Sequence, residues 1–347
     1  MKPDSSFLPP AAECPLTEDF QDRVIQRIRR RHSRQQNAIK GLVVCLFFFS
    51  ATVTIRKYVE REPTVPQDGQ VLSAKKGIDW LLSVQNEDGT WAAEQWGGHP
   101  AFKDGINALG TLALLNAPEP VSRNAFASAA SALQKNLGDQ SANALQGPRF
   151  YNHILTLYAL SEVEKQYPDP QRRRELVSAY SRLIKSQQPG GGWGYQDGAA
   201  FQYQQHETAN TAVTWWVCHL LTEYAFQESP EAQMALRRGK AWLKNRHLAT
   251  GKIAYQSDAR SVAGPADALY WMMNNTVPDK PNLSEMEKDI YRDYFISRHQ
   301  HDQDLFSSLQ KHQLENGSWE NPDDRWLQAG GKIYLTALSV LVQVPKG

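Results

Sequence analysis

The sequence predicts an all-α protein, a two-layered ring of helical hairpins carried behind a single transmembrane helix. Three observations predict it. Apolar helical segments alternate along the chain with amphipathic, heavily charged ones. A short pattern recurs: an apolar helix ends in glutamine, a glycine turn follows, and then comes a tryptophan. Residues 41 to 55 carry no charge, directly after a basic tail.

Residues 1–37 open Pro-rich and continue as the basic amphipathic helix "TEDFQDRVIQRIRRRHSRQQ". Thr17 is its N-cap, Glu18 and Asp19 favour its first turn, and Phe20, Val24 and Ile28 share one face. Such a helix lies on anionic headgroups, or it docks a cytoplasmic protein partner through residues 1–36. The layout resembles the tails of membrane-tethered regulators such as anti-sigma factors.

The anchor is expected at residues 38–55, "AIKGLVVCLFFFSATVTI". At ~1.5 Å per residue it rises roughly 27 Å, close to the about 30 Å of a hydrocarbon core. The alternative is a buried core helix. The tail before it is too long for the basic region of a cleaved signal peptide, so an uncleaved anchor fits better. Seven basic residues fall in 21–40 and four in 56–75. The positive-inside rule therefore expects the N-terminus in the cytoplasm and the rest periplasmic or extracellular. Residues 56–70 form a charged, proline-containing linker, and 71–347 the ring.

Composition closes off several function classes. With 347 residues, 41% hydrophobic, the chain can bury a sizeable core. A net charge of +1 gives no case for nucleic acid. Cys14, Cys45 and Cys218 show no CxxC spacing, so neither a disulfide framework nor a zinc knuckle is expected, and no motif calls for a cofactor.

The recurring pattern appears as "WLLSVQNEDGTW", "RLIKSQQPGGGWGY", "KAWLKNRHLATGKIAY" and "SSLQKHQLENGSW", ending at Trp91, Trp193, Tyr255 and Trp319. The first interval, 102 residues against 62 and 64, is read as about two units, so a degenerate copy is expected near 129–150, with Phe150 in the tryptophan's place. Helices apolar on most sides are expected at about 103–116, 149–165, 207–226, 261–273 and 332–344. Amphipathic ones are expected at about 71–84, 121–137, 169–186, 229–245 and 283–299, with an eleventh at 302–313. Buried helices alternating with half-buried ones imply an inner layer wrapped by an outer one. In each pattern Gln85, Gln188 or Gln313 is expected to satisfy helix-end groups, glycine to permit a positive φ, and the indole to seal the joint over the glutamine amide.

These motifs, with "HILTLYALSEVEKQYPDP", "TANTAVTWWVCHLL" and the closing "GGKIYLTALSVL", resemble the QW repeats of the squalene-hopene cyclase and prenyltransferase/squalene-oxidase repeat superfamily. The resemblance spans 71 to 345. It implies an α/α toroid of about five to six hairpins and an apolar or isoprenoid-like ligand. Neither familiar chemistry has its residues here. The DxDD acid of the cyclases is absent, and the nearest pair, Asp323-Asp324, reads as a solvated loop. The zinc ligands of the prenyltransferases are absent too, and Cys218 reads as a buried structural cysteine. "RHQHDQD" offers His299, His301, Asp302 and Asp304, but the segment joins two helices and Asp302 or Asp304 serves as an ordinary N-cap. Whether the chain is an enzyme stays open.

A ligand is expected at the mouth where the N-terminal ends of the inner helices gather. Asp104, Tyr151, His153, His206, Glu207, Thr211, Asp267 and Tyr334 stand near those ends, with Trp215 for an apolar tail. The converging helix dipoles favour an anion such as a diphosphate. His153 and Glu207 are the candidate proton-moving pair. The alternatives are a scaffold with a filled core, or a transmembrane regulator acting through its cytoplasmic tail.

Overall fold

The structure is a computed structural model that describes residues 68–139, 148–195, 209–224, 229–246, 254–255, 289–297 and 303–344. The chain divides into Met1–Thr64, outside the described residues, and Val65–Gly347. The expected anchor at 38–55 therefore lies outside them. Among the described residues no helix is long and apolar enough to cross a membrane.

Ten α-helices are found among the described residues. They are α1 Asp68–Ser83, α2 Lys103–Leu115, α3 Arg123–Asp139, α4 Pro148–Gln166, α5 Pro170–Lys185, α6 Thr211–Glu223, α7 Pro230–Lys244, α8 Ile290–Ser297, α9 Gln303–Lys311 and α10 Leu327–Gln343. Their starts follow from local chemistry. Pro170 and Pro230 sit at N1, where no N–H is needed, and Asp169 and Ser229 cap the freed donors of Arg172 and Ala232. Asn210 caps α6 by accepting from the Val213 amide.

Even-numbered helices form the inner layer and odd-numbered ones the outer. In α2, α6 and α10 nearly every residue from the second turn on is buried, whereas α5 and α7 bury one stripe each. α2 packs between α4 and α10, α4 also meets α6, and α8 meets α10. α1 packs on α10, so the first and last hairpins touch.

Three expectations need correction. The segment 283–299 was expected on the outside, yet Tyr291 and Tyr294 of α8 reach the centre: Tyr294 shares a hydrogen bond with Tyr158 at 2.9 Å, and the Tyr291 ring faces Tyr151 and Trp216. Its charged residues had read as an outer face, but Asp289 and Asp293 are buried. Phe150 ends no repeat; it is fully buried in the first turn of α4. Tyr255 does not stand in a tryptophan's place either. Gly-Trp-Gly-Tyr set against Lys-Ile-Ala-Tyr pairs it with Tyr195, and the two hydroxyls meet at 3.0 Å. The segment 261–273 lies outside the described residues.

The recurring pattern has one geometry in three places. Each indole N–H donates 2.8 Å to the carbonyl ten residues earlier: Trp91 to Leu81, Trp193 to Leu183, Trp319 to Leu309. Each tryptophan amide donates to an inner-helix side chain, Asn107, Thr214 or Thr336. Each glutamine amide donates twice, to the turn glycine's carbonyl and to the next outer helix. Gln85 reaches Gly89 and Ala125, Gln187 reaches Gly191 and Ala235, and Gln313 reaches Gly317 and Ser73. The residue is Gln187, not Gln188, whose Oε1 instead accepts from the Ala209 amide. The glutamine thus ties neighbouring units together rather than lying beneath the indole. Gln313 ties the last unit to the first.

Candidate functional site

Side chains from the first turns of α4 and α8 and from α10 just past Gly331 meet at one end of the inner layer. The Tyr151 and Tyr291 rings lie with centroids 6.2 Å apart, and Tyr291 in turn lies 6.1 Å from Trp216. The Tyr291 and Tyr334 rings stack with centroids 6.5 Å apart. Beside them sit Asp289, Asp293 and Asp324, each at most 5% exposed. Asp324 accepts from the amides of Ile290 at 2.8 Å and Trp326 at 2.9 Å, so it caps α8 and fixes the loop before α10. Burial is the main cause that pushes its carboxyl up to about 6, and nearby Asp289 adds to it. The indole N–H of Trp326 donates to Asp289 at 3.3 Å while the side chain stays 42% exposed. Arg325 lies 3.9 Å from Asp289. The solvated-loop reading of Asp323-Asp324 thus holds for exposed Asp323 and fails for Asp324.

The loop that backs this end is built from glycine. His99 donates its amide to the Ala329 carbonyl, and Gly331, at φ 68, breaks the helical path of α10 where it crosses Gly98. No side chain fits between those two backbones.

The structure brings Tyr151 and Tyr334 together. Among the described residues it turns His153 and Asp104 elsewhere. His153 points to the outer layer, where its ring bonds the backbone of Ala179 in α5. Burial, then the Arg182 charge, drops its pKa to about 3, so it stays neutral and cannot serve the mouth as expected. The expectation failed because His153 begins an inner helix but faces away from its centre. Asp104 accepts from Asn136 of α3 at 3.2 Å. The Thr211 hydroxyl donates to the Ala254 carbonyl at 2.6 Å, a structural bond. Trp215 is buried and stacks on His219 at 5.0 Å, on the inner-layer helix α6. His206, Glu207 and Asp267 lie outside the described residues.

The expected anion meets a physical objection. Helix N-termini attract anions only while their amides are unfilled, and here Asp324 and Asn210 already occupy those of α8 and α6. The buried carboxylates would also repel a diphosphate. Deeper in, Tyr158, Trp216 and Tyr294 fill the centre with tilted or hydrogen-bonded rings. A cavity between α8, α9 and α10, lined by Asp293 and His312, measures only about 20 Å³. That is room for a single water.

Cys218, read from the sequence as a structural cysteine, is one. It is buried against Gly239, and burial raises its thiol to about 12. His299, His301 and Asp302 lie outside the described residues, as does the side chain of Asp304. The sequence reading missed Asp289, Asp293, Tyr291 and Trp326. A signal existed for one: a tryptophan two residues after an aspartate pair, outside any repeat.

No protein-family model and no curated protein sequence matches the chain. Among solved structures, the chain is similar to the GH76A α-1,6-mannanase from Salegentibacter sp. HEL1_6, with a TM-score of 0.54, 11% identity, and coverage of 79% of this chain and 98% of that one. An inactive variant of that enzyme, two neighbouring aspartates changed to asparagine, in complex with alpha-1,6-mannotriose, matches equally well. The fold is an α/α toroid. At this identity the likeness speaks for the fold alone.

Proposed function

We propose that the toroid mouth binds a hydroxyl-rich ligand of the oligosaccharide class. Trp326 carries the reading. Its half-exposed ring is held in place by Asp289 and Asp324, giving a rigid aromatic face beside carboxylates. A sugar ring offers a flat apolar face to such a platform and hydroxyl donors to the acids. The mannanase of similar fold, whose inactive variant has an altered aspartate pair, supports the same class. Asp324, with a carboxyl near 6, is able to hold or pass a proton close to neutral pH. Calorimetric titration with mannotriose and other trisaccharides tests the reading. Trp326→Ala is expected to weaken binding by about tenfold, and a chain that binds no saccharide ends it.

A second reading, an apolar or isoprenoid-like ligand, is favoured by the three identical Gln-Gly-Trp staples and their resemblance to squalene-cyclase repeats. The ring-filled centre weighs against it, and an isoprenoid diphosphate included in the same titration decides between the two.

The domain plan of the sequence belongs to the proposal: residues 1–37 in the cytoplasm, a span at 38–55, and the toroid outside the cytoplasmic membrane. Leu72 is 55% exposed on α1 and suits a labelling test. In a background lacking Cys14 and Cys45, Leu72→Cys is expected to react with an impermeant maleimide on intact cells, and Ser5→Cys only after lysis. The reverse pattern would overturn the orientation.

A further inference from the structure

The saccharide reading leaves the inner end of the mouth unexplained. There the hydroxyl of Tyr334 is buried, its side chain 6% exposed, and among the described residues it makes no hydrogen bond. Folding opposes such an arrangement unless something else supplies the partner. Burial first, and then the charges of the buried carboxylates Asp324, Asp289 and Asp293, oppose ionisation of that hydroxyl. Around it stand π faces: Tyr291 stacked on Tyr334 at an interplanar angle of 20°, and Tyr151 with its centroid 6.2 Å from that of Tyr291.

Each kind of ligand group fares differently in these surroundings. An anion is repelled by the carboxylates. A neutral hydroxyl gains the Tyr334 hydrogen bond and little more. An alkylammonium donates to the Tyr334 oxygen, is attracted by the carboxylates, and lies against aromatic faces that favour cations. Among the described residues no three His, Cys, Asp or Glu side chains are grouped to hold a metal ion, and the aromatic faces suit an organic cation.

We propose that Tyr334, Asp324 and the rings beside them seat an amino group, so that the ligand of the mouth is an amino sugar or another amine-bearing polyol. This rests on the saccharide reading above and narrows it.

The test titrates the full chain in detergent, near pH 7, with glucosamine trimer, its N-acetylated counterpart, mannotriose and ethylamine. The glucosamine trimer is expected to bind at least about tenfold more tightly than the acetylated trimer, which has the same shape without the charge. Tyr334→Phe, which removes only the unpaired hydroxyl, is expected to erase most of that preference, and its thermal midpoint reports whether it folds. Equal binding of charged and acetylated trimers overturns the amine seat and leaves the saccharide reading standing. Ethylamine binding as tightly as the glucosamine trimer overturns the saccharide reading, and the amino-sugar ligand with it. No binding by any of the four overturns both.

Discussion

Gly317→Ala is expected to destabilise the toroid by about 3 to 5 kcal/mol, read from chemical denaturation, whereas Gly97→Ala costs only about 1. Both glycines sit at positive φ, 91° and 81°. Any L side chain is strained at such a φ wherever it stands. The difference lies in the surroundings. A Cβ on Gly97 meets nothing within 4 Å, so its cost is backbone strain alone. A Cβ on Gly317 runs into the carbonyl group of Lys76 in α1, and backbone cannot swing aside as a side chain can. Gly89 presses on Ser128 and Gly191 on Arg238 in the same way. The turn glycine is therefore a spacer as well as a hinge: its missing side chain lets the next outer helix approach until the glutamine amide reaches that helix's carbonyl. Equal costs at Gly97 and Gly317 would mean that the close approach contributes nothing.

The sequence made the layering legible because burial leaves a mark on helical periodicity. "NTAVTWWVCHLL" has no polar face, and α6 is buried almost throughout. The staple was legible as residue types and only partly as geometry. Gln187 and Gln188 are adjacent and equally able to hydrogen-bond; only the distance to the next outer helix selects Gln187. The mouth was least legible. Tyr334 and Tyr151 were found by counting from helix starts, a rule that also chose His153, since position along a helix says nothing about which way a side chain faces. Asp289, Asp293 and Asp324 read as loop or surface charges, because the mark of a buried carboxylate is its neighbours, and those come from three separate stretches of chain.

Trp319→Ala is expected to cost about 4 kcal/mol, as much as Trp91→Ala or Trp193→Ala. All three side chains are at most 2% exposed, and all three donate an indole hydrogen bond that alanine cannot replace. Equality is the informative part. Trp319 belongs to the last staple in the chain, and in an open helical array a terminal staple has no further unit to grip, so losing it costs less. Here it has one. A Cβ on Gly77 of α1 would fall 2.6 Å from the Trp319 ring, as a Cβ on Gly239 of α7 would from that of Trp193. The last tryptophan therefore lies on the first outer helix as Trp193 lies on the outer helix after its own. Trp319→Phe separates the two contributions: the ring still fills most of the space, but the Leu309 carbonyl loses its donor, for an expected cost of about 1 to 3 kcal/mol. A Trp319→Ala cost well below those of the other two would show that the seam between the last unit and the first adds little, and that the toroid behaves in solution as an open array.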